Sequence, residues 1–330
     1  MIITRTPYRI SFVGGGTDLK DYYKVSPGIV LSTSIDKYIY VVIKKQVGIV
    51  EHKYRINYSS VEFCNDVDEI KHPIVREALK LFDIDWPLEI STFSDIPGQT
   101  GLGSSSAFAV GLVHALFSIK GIMATKHQIS STAAKIEIDI LGRKIGKQDH
   151  FAAGYGGLNT ITFFKDESVK LDPVFHSKKT LALFQSKLML FYTFLKRDAN
   201  EVLISQVKNI KRNIKFLDEM KNFVEPFRET INIGKNLNVL GEILNSSWKL
   251  KKSLSNNISN KDIDKYYKIA RDSGAIGGKV LGAGGGGFLL LFANKKDQNY
   301  IRKNLANLYY LRFKFDQGGT RITYYDQTNF

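Results

Sequence analysis

Three glycine clusters, far apart along the chain, constrain it more than any other feature. They are "TPYRISFVGGGTD" (6–18), "PGQTGLGSSSA" (97–107) and "GGKVLGAGGGGF" (277–288). An ordered glycine loses more backbone freedom on folding than any other residue. Three such clusters are therefore poor linkers and point to loops whose backbone must take a set geometry. The second cluster runs directly into "AFAVGLVHALFSI" (107–119), an apolar stretch that reads as a buried helix. Glycines there let an anion approach the unpaired N–H groups and partial positive charge of a helix N-terminus. Serine at the first turn can add a hard oxygen ligand for Mg²⁺. The competing reading is an ordinary N-capped helix after a flexible loop, because serine caps helices as well.

The rest of the chain bounds the class. Its 330 residues are 43% hydrophobic and 12% aromatic, enough to fill the core of one large or two medium domains. The lone Cys64 cannot form an intrachain disulfide and suits a reducing compartment. "MIITRTPYRISFVGGG" has no apolar core followed by a cleavage site, so no signal peptide is expected. The longest apolar runs, 107–119 and 188–195, are too short to span a bilayer. A soluble cytoplasmic protein is the expectation. The net charge of +15 admits an anionic partner, yet the lysines of "KNIKRNIK" and "WKLKKS" are scattered and not interleaved with a stacking motif. Charge alone marks no nucleic-acid site.

Residues 1–12, 37–45, 87–97 and 156–164 pattern as strands, and 104–119 and about 127–143 as helices. This order fits an α+β domain better than a regular βαβ array. The polar stretch "KDESVKLDPVFHSKK" (165–179) is the expected boundary, dividing the chain into 1–175 and 176–330. The second half opens with an apolar run at 181–195, continues through a basic helical region to about 272, and holds strands at 288–293 and 320–325.

No Walker P-loop, protein-kinase loop set or zinc signature is present. "GAGGGG" (282–287) satisfies G-x-G-x-x-G, but it precedes the strand "FLLLFA" where a dinucleotide fingerprint must open a helix. Glu137 stands out among the acids. In "STAAKIEIDILGRK" its helical neighbours are Ala133, Ala134, Ile140 and Leu141, so its carboxylate lies on an apolar face. A buried carboxylate needs a metal or a charged partner, and both readings stand. Asp139, flanked by Lys135 and Arg143 at i−4 and i+4, reads as a solvated ion pair.

Together the three clusters resemble the signature motifs of the GHMP small-molecule kinases. Pro7, Arg9, Gly14, Thr17 and Asp18 match the first motif. Pro97, Gly101, Leu102, Gly103, Ser104 and Ser105 match the second. Lys279, Gly282, Ala283, Gly284, Gly285, Gly286 and Phe288 match the third. "RTPYRISFVGGGTDL" and "GKQDHFAAGYGG" are most similar to the D-glycero-D-manno-heptose 7-phosphate kinase branch. The resemblance implies a ribosomal-protein-S5-domain-2-like first half, a ferredoxin-like second half and an active site in the cleft between them. It implies ATP, with Mg²⁺, as phosphoryl donor and the anomeric hydroxyl of a sugar phosphate as acceptor.

The same resemblance implies roles for particular residues. Gly101, Leu102, Gly103, Ser104, Ser105 and Ser106 would cradle the ATP phosphates, with Ser105 and Glu137 as metal ligands. Asp149 would act as general base or orient the acceptor, with Arg9 beside it to offset charge on the moving phosphoryl group. The alternative for Asp149 is a loop or helix cap. Gly15, Gly16, Thr17 and Asp18 would meet the sugar, Tyr155 and Gly156 would line the opposite wall, and Gly284 and Gly285 would close over substrate. Gly15 and Gly16 stand where galactokinase has an acidic residue and a histidine, which argues against galactose itself. Lys279 would touch phosphate or be solvated, His150 would pack behind the site, and Arg197 is a weak candidate for a distal phosphate. The implied partner is a small sugar or sugar phosphate, with no nucleic acid and no membrane, and a homodimer is admitted. Two rival functions are a kinase for an unphosphorylated, fucose- or galactose-like sugar and a non-catalytic nucleotide- or RNA-binding protein.

Overall fold

Two long, β-branched and aromatic runs near the N-terminus set up the first sheet. In the computed structural model, which describes residues 1–195, 210–255 and 257–326, they form strands β1 (Ile2–Val13) and β2 (Gly28–Lys45). These pair antiparallel along almost the whole of β1. Strand β2 is long enough to change neighbours on its other edge. Ile39–Lys45 pair with β5 (Leu88–Ser94), and Gly28–Thr33 with β6 (Leu158–Phe163). Short strands β3 (Tyr54–Asn57), β4 (Val61–Cys64) and β7 (Val169–Pro173) extend the two ends.

Helix α1 (Lys20–Tyr23) follows the first glycine cluster, and α2 (Pro73–Leu81) precedes the central helix α3 (Ser104–Ile119). Because α3 is apolar on all sides, it is buried from Ser106 to Leu116 apart from His114. It lies between the sheet and the pair α4 (Lys126–Ala134) and α5 (Gln148–Tyr155). Its approach to β1 is close at Gly111, whose carbonyl accepts from Thr4 Oγ1 at 2.9 Å.

The apolar run at 181–195 is two elements. Helix α6 (Lys178–Ser186) ends at Lys187, and strand β8 (Leu188–Tyr192) starts the second sheet. That sheet adds β9 (Ala275–Val280), β10 (Phe288–Ala293) and β11 (Tyr309–Leu311) in the antiparallel order β11-β8-β10-β9. Helices α7 (Ile210–Asn222), α8 (Val224–Ile233), α9 (Asn238–Ser253) and α10 (Lys261–Asp272) connect its first two strands, and α11 (Lys295–Asn304) its last two. The strands therefore lie in the order fourth, first, third, second, with helices in the two crossovers. This is the ferredoxin-like arrangement expected.

The division at 175/176 falls between the two sheets, but the second unit does not run to residue 330. Strand β12 (Phe315–Asp316) pairs with β2, and β13 (Arg321–Tyr325) pairs with β1. The physical reason is an edge: without β13, the outer side of Ile2–Arg5 would be an unpaired row of backbone donors and acceptors. The halves are also joined by an aromatic core. Phe12 of β1 lies 5.3 Å from Phe184 and 5.5 Å from Phe227, ring centre to ring centre.

Candidate active site

The three glycine clusters meet at one cavity of about 340 Å³ between the halves. Gly101 has φ +84°, and a Cβ there would lie 2.5 Å from the Leu281 carbonyl, so the second and third clusters touch main chain to main chain. The first cluster joins them through Arg9, whose backbone N–H donates to Leu102 O at 3.2 Å. Its guanidinium continues the link. Nη1 donates to Gly101 O at 2.8 Å, while Nε and Nη2 grip the two oxygens of Asp149 at 2.6 and 2.8 Å. Asp149, in the first turn of α5, lies against Gly103, where a Cβ would sit 3.1 Å from its Oδ2.

Helix α3 starts at the cavity. Gly103 caps it in a left-handed conformation, Ser104, Ser105 and Ser106 line the cavity, and no acidic residue occupies its first turn. Free N–H groups and the helix dipole make this the natural seat for phosphate. Beside it, Ser105 Oγ donates to Glu137 Oε1 at 2.6 Å. Glu137 is 0% exposed and is held from behind by His150 Nε2 at 2.8 Å from Oε2. Burial pushes the Glu137 carboxyl up, but hydrogen bonds from His150 and Ser105 and the Arg143 charge outweigh it and hold it at about 2.

Arg143 corrects the reading of its neighbourhood. Residues Lys135–Ile140 wind as a π turn, and the helix breaks before Gly142 at φ +65°. The α-helical i+4 relation to Asp139 therefore does not hold. Arg143 Nη1 donates instead to Glu137 Oε1 at 2.5 Å and Ser105 Oγ at 2.8 Å, while Asp139 faces solvent and pairs with Lys20 at 3.3 Å. Such π turns are frequent at functional sites because they re-aim side chains. Ser105 and Glu137 offer a cation one hydroxyl and one carboxylate, and among the described residues no three or more acids, histidines or cysteines are grouped so as to hold a metal ion. That donor set fits Mg²⁺, whose remaining positions phosphate oxygens and water would fill; in this structure Arg143 sits on the same two oxygens.

The opposite end of the cavity is built from side chains. Asp18 is buried, accepting from the N–H groups of Gly16 (3.0 Å) and Gln148 (3.3 Å). Gly146 makes room for it, since a Cβ there would be 1.8 Å from Oδ2. Burial, then the charge of Asp149, raises the Asp18 pKa. Ser11 Oγ and Gln148 Oε1 face the same space and find no hydrogen-bond partner among the described residues. Gly15 and Gly16 complete this wall, and Lys251 and Lys279 face the cavity from the second half.

Several expected residues shape the site without facing it. Thr17 is fully buried, and its hydroxyl is taken up by Gly14 O (2.8 Å) and Ile29 O (3.0 Å). The Leu102 side chain is in the core, and only its carbonyl contributes, to Arg9. Tyr155 and Gly156 end α5 at the far side from Asp149. There Lys126 Nζ donates to Tyr155 O, and Gly156 packs on Gly319. Gly284 and Gly285 turn away toward Ile258, whose carbonyl accepts from Gly285 N at 2.8 Å, so the third cluster reaches the cavity through Lys279, Gly282 and Ala283. Lys279 is not solvated but buried, and His150 is the buttress expected. Arg197 lies outside the described residues. Ser11, Arg143, Gln148 and Lys251 carried no sequence signal as site residues.

Comparison with known proteins returns one family for both halves. The family model described as GHMP kinases N terminal domain matches residues 73–157, and that described as GHMP kinases C terminal matches 221–311. The chain is 30% identical to a D-glycero-alpha-D-manno-heptose 7-phosphate kinase of Campylobacter jejuni, over 91% of this chain and 95% of the relative. It is 26% identical to the bifunctional fucokinase/GDP-fucose pyrophosphorylase of Arabidopsis thaliana, over 88% of this chain and 30% of that one. Among solved structures, a D-glycero-D-manno-heptose 1-phosphate kinase from Bacteroides thetaiotaomicron superposes with a TM-score of 0.81 at 20% identity. The match covers 99% of this chain and 100% of that one.

Proposed function

The chain belongs to the GHMP kinases, and from that premise we propose that it transfers the γ-phosphoryl group of ATP to the anomeric hydroxyl of a heptose phosphate. The substrate best supported is D-glycero-D-manno-heptose 7-phosphate, which would become the 1,7-bisphosphate. One observation carries this reading. Asp149 stands where the nucleotide loop, at Gly103, adjoins the acceptor wall of Asp18, Ser11 and Gln148.

The main-chain N–H groups at the start of α3 hold the donor's phosphates in line with the acceptor. Bound at Ser105 and Glu137, Mg²⁺ supplies charge neutralisation on the triphosphate. Asp18, Ser11 and Gln148 orient the sugar through its hydroxyls. Asp149 takes the proton from the anomeric hydroxyl as its oxygen bonds to the γ-phosphorus and the bond to ADP breaks. Arg9, clamped to both Asp149 and Gly101 O, keeps that carboxylate at the junction and offsets charge on the moving phosphoryl group. A buried single cysteine fits a cytoplasmic enzyme drawing on ATP, and no helix among the described residues is long and apolar enough to cross a membrane.

The test is ADP release by the purified protein with heptose 7-phosphate, the unphosphorylated heptose, L-fucose and galactose, followed by ³¹P NMR of the product. The expected result is turnover with the heptose phosphate and a new phosphate on C1. Turnover confined to unphosphorylated sugars would favour the fucose- or galactose-like reading, and no turnover with tight RNA binding the non-catalytic one.

A further inference from the structure

Two lysines in the cleft have no task in the chemistry above. Lys251, in the last turn of α9, is 8% exposed, and Lys279, on β9, is 3% exposed. Each donates a hydrogen bond to a main-chain carbonyl, Lys251 to Gly282 O and Lys279 to Phe12 O at 2.8 Å. Neither makes an ion pair among the described residues, and the nearby acids are engaged: Asp149 by Arg9, and Asp18 by two backbone amides. A buried ammonium that meets only carbonyls is destabilised. Burial, then the positive charge of Arg9, lowers the Lys251 pKa to about 8, and burial, then the charges of Lys251 and Arg9, holds that of Lys279 well below the usual lysine value. Both lysines line the cavity with Arg9, Asp18 and Asp149: Lys279 sits on the Phe12 carbonyl, next to Ser11 of the acceptor wall, and Lys251 on the Gly282 carbonyl, where the third cluster packs on Gly101. The donor's phosphates already have the N–H groups at the start of α3.

We propose that Lys251 and Lys279 form a phosphate-binding subsite on the acceptor side of the cleft, which holds the sugar's own phosphate while the anomeric hydroxyl faces Asp149. The inference rests on the sugar-phosphate kinase reading and supplies what that reading lacks, the residues that tell a phosphorylated sugar from a plain one. The γ-phosphate of ATP offers the same chemistry, so the experiment must separate the two sources.

Lys251→Met and Lys279→Met keep the apolar stem and length while removing the charge. Steady-state kinetics would be measured with heptose 7-phosphate, with the unphosphorylated heptose and with varied ATP, alongside calorimetric binding of heptose 7-phosphate without nucleotide and thermal melting. The expected result is a KM for heptose 7-phosphate raised about 30-fold or more in each variant. Calorimetric affinity should fall in step, and the KM values for ATP and for plain heptose should stay within about threefold. Lys251→Arg, which restores the charge, should recover part of the loss. If the ATP KM rises together with that of the sugar phosphate, the lysines serve the γ-phosphate and the acceptor subsite is overturned. Unchanged kinetics in folded variants overturn the subsite alone. A wild-type enzyme that phosphorylates only plain sugars overturns both this inference and the functional reading beneath it.

Discussion

At one end of the cleft, Ser104, Ser105 and Ser106 are consecutive residues that present main-chain amides at the start of a helix. At the other, Ser11, Asp18, Gln148 and Lys279 arrive from separate stretches of both halves and present side chains. In the proposed function the donor end would recognise a group common to every nucleotide triphosphate, and local backbone geometry suffices for that. The acceptor end would have to distinguish one sugar from another, which takes charges and hydrogen-bond partners placed individually. Substitutions should therefore split by end, each moving the constants of the ligand held at its own end.

The largest effect is expected at the junction. Asp149→Ala should lower kcat by about 10²–10⁴ with the affinity for MgATP changed little, as read by single-turnover kinetics and nucleotide titration. An equal collapse of nucleotide binding would show that the two ends are not separable there. Next comes Glu137→Gln, which removes a carboxylate buried against Ser105, Arg143 and His150. The Mg²⁺ concentration for half-maximal rate should rise about 10–100-fold, with the acceptor KM unmoved; a magnesium titration checks both.

A pair of glycine substitutions sharpens the contrast. Gly101→Ala forces a Cβ into the Leu281 carbonyl at positive φ and should destabilise the protein by about 1–3 kcal/mol, visible as a lower Tm. Gly15 has no such obstacle, its nearest neighbour to a Cβ being Ser11 Oγ at 3.6 Å. Gly15→Ala should leave Tm unchanged and raise only the acceptor KM, by several-fold.

The mildest test is acid. Asp18 has a raised pKa from burial and the charge of Asp149, whereas Glu137 is held at about 2. As pH falls, Asp18 takes up its proton first, so the acceptor KM should climb while nucleotide affinity holds, and Asp18→Asn should remove that acid limb. The stabilisation carried by Glu137 has the opposite reach. Its folded pKa lies below its ordinary value, so its contribution is complete above the ordinary carboxylate range and is lost progressively from there as pH falls to about 2. Melting curves between pH 7 and 2 would show the order.

Motif membership did not separate residues that face the cavity from residues that hold the loops. Gly101, Gly103 and Ser104–Ser106 line it as expected, yet Thr17, Gly284 and Gly285, from equally distinctive motifs, turn inward to carbonyls. Glu137 was legible because helical spacing placed it on an apolar face. Arg143 was not, because the π turn at 135–140 breaks the very periodicity that spacing arguments assume. Lys251 sits in "WKLKKS", which in one dimension looks like any solvated basic run.

The amino-acid order by itself determined the elements and the loops that cap them. Alternation, helical periodicity and glycine placement act between residues a few positions apart, and that range also covers the glycine-capped start of α3. Only the tertiary structure decided which side chains share the acceptor end, how β13 closes the edge of β1, and which lysines are stripped of water. Those outcomes depend on close packing between segments hundreds of residues apart, such as Lys279 against Phe12, and a buried charge is known as buried only when its surroundings are in place.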